Sequence, residues 1–516
     1  MNRARDPWIA LAGIAALTLV AYWPSLSVPF QFDDYARISG NWNLHAGNWL
    51  RGIAQLGGSR VLPATTLAFN FWLSGEATWS YHAVNLAVHL AASLAVFQLA
   101  WLIAQTPRLR ASAAARHPLA FATAAAAWFA CHPLQTQAVT YIIQRTASMA
   151  ALFYIACVGA YLNGRMAQTR GDGDGRRSFA AAAVLALAAL LSKENAVTLP
   201  LAIALIEVAC FGRRHLRRLA RGAMLAAPLL AVPIVWKFVA WRSRRSATEG
   251  GALRQLIDSI FAQGLDEPGT IGPLEYLLTQ MVVLPRYLRL ALLPVGLNVD
   301  HDVPVATGLD ASVAAGMLLL LALIGAGLWC LRDRPIAGIA ILWFFIALSV
   351  ESSFIPILDV MMEHRAYLGM PGLSLLFAGA VAWAADRDRR AAHAAAAVVV
   401  LFAGLTFARN QVWQSALSLW SDAAAKSPRK ARVHINVGVA HHGRDELDRA
   451  IEHYCRAIEL DPTIAVAREN IEIALEQQGR LEEVMAGLKP RRVEVPGTAP
   501  GAIVLEYDPS EVVCAE

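Results

Sequence analysis

The chain has 516 residues, 56% of them hydrophobic and 16% charged, with a formal net charge of +6. Soluble domains carry about a quarter charged residues, so this composition excludes an ordinary soluble enzyme and points to an all-α, polytopic membrane bundle. Its positive charge sits in short arginine clusters between apolar runs, and nucleic acid is not an expected partner.

In chain order, Arg3 and Arg5 precede the apolar run Trp8–Val20, flanked by Tyr22 and Trp23 as interfacial anchors. Tyr22-Trp23-Pro24 offers no small-residue cleavage site, so a retained anchor is expected over a signal peptide. Residues 30–80 are too polar to span and read as a large outer loop with surface-lying helices. Apolar runs follow at about 82–104, 118–131, 147–163, 178–191, 196–211, 222–240, 310–330, 335–350, 366–385 and 392–407. The basic groups Arg108/Arg110/Arg116, Arg165–Arg177, Arg213–Arg221, Arg332/Arg334 and Arg387–Arg390 fall between alternate runs. The positive-inside rule then makes those loops and the N-terminus cytoplasmic. Tyr276–Pro294, interrupted by Pro285, is expected to be re-entrant or surface-lying, which leaves about eleven spans and keeps every basic cluster inside. The expected domains are a membrane domain over 1–408, a helical-repeat domain over 409–488 and a loosely ordered tail over 489–516.

The repeat is read from a spacing of 34 residues. Ala416, Ala450 and Val484 align, as do Trp420, Tyr454 and Leu488, then Ala423 with Ala457 and Pro428 with Pro462. Gly438 falls at the small position of a helix crossing and Gly479 at a turn; period and residue types together match the tetratricopeptide pattern. Cys131, Cys157, Cys210 and Cys330 lie in or beside apolar runs, Cys455 and Cys514 in the tail. No spacing resembles a zinc site or a disulfide framework, so small buried side chains are expected.

Polar motifs at the non-cytoplasmic ends of the runs carry the chemistry. Asp33 and Asp34 end the first run; adjacent carboxylates repel, one should hold its proton more tightly, and that one is a candidate general base. His82, Asn85 and His89 share a helical face, read as a hydrogen-bonded seam more readily than as metal ligands. His132 and Arg145 bound a polar outer segment. Lys193 and Glu194 sit between two runs, as an ion pair or as working charges. Asp300, His301 and Asp302 are dense in oxygen and nitrogen ligands and leave a divalent cation open, with the metal unknown. Glu363, His364, Arg365 and Tyr367 close the set, Arg365 being suited to grip phosphate oxygens.

The order of these motifs (Phe-x-Asp-Asp, His-x-x-Asn-x-x-x-His, His-Pro…Tyr-Ile-x-x-Arg, Ser-Lys-Glu, Asn-x-Asp-His-Asp-x-Pro, Glu-His-Arg-x-Tyr, then the repeats) resembles the transmembrane-and-tetratricopeptide-repeat family of GT-C glycosyltransferases. That resemblance covers nearly the whole chain to about residue 488. It implies an inverting, protein O-mannosyltransferase-like enzyme of a cell (inner) membrane. The donor would be a polyprenyl-phosphate sugar, with Asp33 or Asp34 as base or metal ligand. Arg145, Lys193, Arg286, Arg289 and Arg365 would hold the lipid phosphate, and the repeats would meet a protein acceptor or partner on the non-cytoplasmic side. Gln137 stands where the family leads one to expect Glu, and Gly369 where Pro is more usual. Two readings from other classes are a non-enzymatic membrane-anchored repeat scaffold and a transporter of lipid-linked sugars.

Overall fold

The structure is a computed structural model, and it describes residues 7–212, 271–486, 491–494, 503–506 and 510–514. The expected run at 222–240 and the Arg213–Arg221 cluster lie outside those residues, as do Arg3 and Arg5. The chain divides into two compact units: one holds Met1–Leu297 and Val303–Gln411, the other Asn298–Asp302 and Val412 onward.

The first unit is a bundle of apolar helices. Among the described residues six segments are long and apolar enough to cross a membrane: Pro7–Ser27, Trp79–Ala104, Ile142–Arg170, Glu194–Phe211, Ala311–Asp333 and Arg390–Val412. Three shorter apolar helices, Pro118–Cys131, Pro335–Leu348 and Met370–Ala385, pack among them. Proline stands in the first turn of each of these three, where its missing N–H costs nothing and its fixed φ suits the helix. Lipid supplies no hydrophobic drive between helices, so close approach depends on small residues. A Cβ on Gly316 would lie 2.0 Å from the Met281 carbonyl oxygen, and one on Gly372 would lie 2.6 Å from that of Ala340. Either substitution would push two helices apart.

Two arginines on the bundle, the half-buried Arg165 and the exposed Arg108, tie helices together. Arg165 Nη2 meets Glu207 Oε1 at 2.7 Å, and the Tyr161 hydroxyl donates to Glu207 Oε2 at 2.8 Å. Arg108 donates to the carbonyls of Val208, Leu331 and Arg332, tying together the C-terminal turns of two helices. Residues 30–80 form helices, among them Trp49–Gly57 and Val61–Ser74, with Trp42, Leu50, Phe69 and Trp72 exposed. The segment expected to break at Pro285 is instead one continuous helix, Pro273–Leu292. Its Tyr276, Tyr287 and Gln280 are buried, and Tyr276 and Tyr287 donate to the backbone at Glu351 and Met362.

The second unit stacks antiparallel helices Ala416–Lys426, Ala431–His442, Leu447–Leu460, Ala465–Gln477 and Leu481–Ala486. The residues that set the 34-residue period fill its interior: Trp420, Ala423, Ala450, Tyr454 and Ala457 are buried. Gly438 is required because a Cβ there would lie 2.4 Å from Tyr454 Cε1. Asn298–Asp302 belongs to this unit: Asn298 and Ser427 are hydrogen bonded at 2.8 Å, and Asp300 is buried against Lys430 and Arg432. Burial opposes the Asp300 charge, yet the bonds from Arg432 and Lys430 outweigh it and hold the carboxyl below its usual range. In the 489–516 segment, expected to be loose, Arg491–Glu494 pairs antiparallel with Ile503–Glu506.

Contrary to the expectation of reduced cysteines throughout, Cys455 and Cys514 form a disulfide. Their separation of 59 residues hid the pairing in sequence, because only the return of the tail to the Leu447–Leu460 helix brings them together. Cross-linking so long a loop is worth about 2–4 kcal/mol by unfolded-state entropy. Cys514→Ser should therefore lower the unfolding temperature of the second unit, and reductant should do the same to wild type alone. Identical melting of wild type and variant without reductant would remove the disulfide from the stability of this unit.

Candidate active site

The turn that carries the aspartates is built from backbone constraints. Phe32 adopts φ +50°, a left-handed conformation costly for a bulky residue, immediately before Asp33. Three bonds hold it there. Asp34 Oδ2 accepts from the Gln31 N–H at 3.1 Å, Asp34 Oδ1 accepts from the Ile143 N–H at 2.9 Å, and the Asp33 N–H donates to the Tyr141 hydroxyl at 3.0 Å. The entering chain is fixed by His82, whose Nε2 lies 2.8 Å from the Val28 carbonyl.

The two carboxylates thus have different positions. Asp34 is 1% exposed, with both oxygens on backbone donors. Asp33 is partly exposed and lines a small pocket with Arg37, Arg60, Leu67, Gln144 and Thr146. Burial raises the Asp34 carboxyl to about 7, and the charge of Asp33 is only a minor contributor. The expectation that the more basic aspartate would be the reactive one is reversed by this geometry: a base must reach the proton it takes, and Asp34 cannot.

A pH dependence follows. The folded state holds a proton on Asp34 that the unfolded chain, with its ordinary carboxyl near 3.8, releases. This contribution to stability is full at the lowest pH and is lost as pH rises through about 7. The unfolding temperature should fall between pH 5 and pH 8, and Asp34→Asn should flatten that fall. An unchanged slope in the variant would remove Asp34 as its source.

The histidine stripe is a seam of hydrogen bonds. His89 Nδ1 is 2.7 Å from the Tyr367 hydroxyl and its Nε2 is 2.9 Å from the Ala130 carbonyl. Asn85 donates to the Val139 carbonyl at 2.9 Å. His132 Nε2 lies 2.9 Å from the Ala291 carbonyl, while its Nδ1 accepts from the Leu134 N–H. Among the described residues no three His, Cys, Asp or Glu side chains are arranged to hold a metal.

Arg145 has a different task from the phosphate contact expected of it. It is fully buried and donates to Asn85 Oδ1, Thr66 Oγ1, Asn70 Oδ1 and the Tyr81 carbonyl, at 2.5, 3.0, 2.7 and 2.8 Å. Four acceptors use most of its donors, and the guanidinium locks three elements around the aspartate turn.

Lys193 and Glu194 do not pair with each other. The extended backbone of Lys193 sends the two side chains apart. Lys193 Nζ meets Glu351 Oε1 at 2.6 Å, and Glu194 receives Arg60 (Nη2 to Oε2, 3.1 Å) and the Ser59 hydroxyl (2.9 Å). One tripeptide therefore joins the Asp33 pocket, through Arg60, to a buried cluster around Glu351. Arg365 is 6% exposed, in electrostatic range of Glu351, Tyr276 and Tyr287, and its Nη1 has no hydrogen-bond partner. Gln137 Oε1 accepts from the His364 N–H at 2.8 Å, an acceptor role that an amide fills without a charge. Glu363 is buried in the same turn.

Other expected residues are elsewhere. Arg289 is exposed and donates to the Val295 carbonyl, and Arg286 is half-buried on the same helix. Asp300, His301 and Asp302 are part of the second unit, where Lys430 takes both the Asp300 carboxylate and the His301 carbonyl.

No protein-family model matches the chain. Among curated proteins it is 22% identical over 476 residues to the protein O-mannosyl-transferase F38B6.6 of Caenorhabditis elegans, covering 87% of this chain and 62% of that protein. It is 23% identical over 555 residues to protein O-mannosyl-transferase Tmtc3 of Drosophila melanogaster, covering 95% of this chain and 59% of that protein. The chain is similar to the TMTC proteins over most of its length. It spans about three-fifths of the length of these relatives. Among solved structures, ArnT from Cupriavidus metallidurans, crystallised with undecaprenyl phosphate, aligns over 95% of this chain and 82% of its own, at 16% identity and a TM-score of 0.45. A likeness of that size says nothing about which residues act.

Arg60, Glu351 and Tyr141 are the site residues that the sequence did not single out. Arg60 stood in a polar loop with nothing to mark it, and Glu351 at the bare end of an apolar run. Tyr141 had a signal, its place four residues before Arg145, but no partner could be named before the turn was seen.

Proposed function

We propose that the chain is a membrane glycosyltransferase of GT-C type. It would move a sugar, with mannose the leading case, from a polyprenyl-phosphate donor to a hydroxyl of a protein acceptor. The observation that carries this reading is a partly exposed carboxylate, Asp33, sharing a pocket with Arg60, which Glu194 holds, while the adjacent Lys193 pairs with Glu351 in a buried cluster where Arg365 keeps Nη1 without a hydrogen-bond partner. The names of the curated relatives support the reaction class.

The chemistry needs few groups. The acceptor oxygen attacks the anomeric carbon from the face opposite the phosphate, and its proton passes to Asp33. The bond from that carbon to the phosphate oxygen breaks, its electron pair leaves with the lipid phosphate, and the anomeric configuration inverts. A phosphate leaving group needs charge stabilisation more than protonation, which Arg365, Lys193 and Arg60 supply. Asp34, Tyr141 and Arg145 hold the turn from which Asp33 acts.

In this reading residues 1–408 form the catalytic membrane domain. The stack over 409–488 is a short tetratricopeptide array, and it meets the acceptor or a partner on the non-cytoplasmic side of the membrane. The Cys455–Cys514 disulfide supports that side, because disulfides persist in oxidising compartments. The N-terminus is cytoplasmic.

The test is purified full-length chain in nanodiscs with polyprenyl-phosphate [³H]mannose and a panel of unfolded and folded acceptor proteins. Label should appear on protein and be removed by base-catalysed elimination. Donor that crosses the bilayer without cleavage would favour the transporter reading. Donor that is neither cleaved nor moved would favour the scaffold.

A further inference from the structure

The buried cluster next to the Asp33 pocket holds more open polar groups than a phosphate can use. Asn195 is 4% exposed and its Nδ2 donates to Glu351 Oε2, leaving Oδ1 without a partner. Gln280 is fully buried and its Nε2 donates to the Val360 carbonyl at 3.0 Å, leaving Oε1 without one. Arg365 Nη1 is the matching open donor. Glu351 is the hub: its carboxylate takes Lys193 and Asn195, and its backbone carbonyl takes the hydroxyl of Tyr276, one turn before Gln280. Buried acceptors left unmade cost about 1–3 kcal/mol each, and Glu351 ties both to one region, Asn195 directly and Gln280 through the turn that carries Tyr276, with Arg365 in electrostatic range of Glu351 and Tyr276.

The donor set defines the ligand's chemistry. A phosphodiester only accepts hydrogen bonds, and can use Arg365 and Lys193 but not the amide oxygens of Asn195 and Gln280. A hydroxyl both donates and accepts, and so can meet amide oxygens and guanidinium alike. A cationic amino group would also suit the amide oxygens, but it would stand beside Lys193 and Arg365, with Glu351 already neutralised by Lys193. We infer that Asn195, Gln280 and Glu351 form a subsite for an uncharged, hydroxyl-rich sugar head, with Arg365 at its phosphate edge. This rests on the transferase reading above and assigns the recognition of the head group to these residues. The tripeptide Lys193-Glu194-Asn195 then serves both ends of the donor, since Glu194 orients Arg60 in the pocket of the base.

The experiment compares binding of polyprenyl phosphate with that of its mannosyl and glucosyl forms to full-length protein in nanodiscs. Wild type is set beside Gln280→Met, Asn195→Leu and the acceptor-retaining Gln280→Glu. The two apolar variants should lose ten-fold or more in affinity for the better-bound sugar lipid, and less than two-fold for bare polyprenyl phosphate. Gln280→Glu should stay within three-fold of wild type on both. Equal losses on the bare and sugar-bearing lipids, or no loss on either, would overturn the subsite. If one apolar variant fails to fold, the other reads the same subsite. The transferase reading fails separately: wild type that transfers label while its variants still discriminate sinks only the subsite, whereas wild type that binds the sugar lipid no better than the bare one and transfers nothing sinks both.

Discussion

Asp33→Asn should abolish sugar transfer while leaving the protein folded and the donor bound. Removal of a positioned general base costs roughly 10²–10⁴-fold in rate. Asp33 is the member of the pair that faces a pocket, and its own structural duty is carried by its backbone N–H, which Asn retains. Asp34→Asn should behave differently when measured at pH 8. Its carboxylate accepts two buried backbone donors, and an amide turns an N–H toward one of them, so a loss of about 1–3 kcal/mol in stability should accompany the loss of rate. Thermal unfolding and single-turnover transfer on the two variants separate the roles. Full activity in Asp33→Asn would remove it as the base, whatever Asp34→Asn did.

The second large effect is expected at Arg145, and it should be one of folding. Arg145→Met keeps the length of the side chain but orphans Asn85 Oδ1, Asn70 Oδ1, Thr66 Oγ1 and the Tyr81 carbonyl in a dry interior. Each buried acceptor left unsatisfied costs about 1–3 kcal/mol, so losing several together is a large share of a domain's net stability. The variant should be recovered at much lower yield, and the folded fraction should bind polyprenyl phosphate as wild type does. Arg365→Met should show the reverse pattern, with a stable protein and weakened lipid-phosphate binding, because its Nη1 is not engaged by protein. Wild-type stability in Arg145→Met together with lost lipid binding would restore Arg145 to the phosphate site.

How far the sequence could be read differs from residue to residue. The seam of His82, Asn85 and His89 was legible because helical spacing is local: three and four residues apart must share a face, and in a bundle that face turns inward. The helical stack after Val412 was legible for the same reason, since a fixed period carries its own register. By contrast, Lys193 and Glu194 invited a pairing that an extended backbone forbids, and Arg145 and Arg365, both arginines beside apolar runs, received the same role on the same evidence. What distinguishes those two arginines is which acceptors come from other helices. Asn70, Asn85 and Thr66 reach Arg145, and none reaches Arg365 Nη1.

By itself the sequence determined that this is a helical membrane chain followed by further helices, and that an acidic turn follows the first apolar run. Composition, hydrophobic run length and period are properties of the chain alone, and lipid demands internally satisfied backbone whatever the topology. Only the tertiary structure decided which aspartate faces a pocket, which arginine is spent on protein, and that Asp300 and the tail cysteines serve the second unit. Those outcomes depend on contacts between residues up to 132 positions apart, and the free energy of a buried charge or amide is set by the partners that folding brings to it.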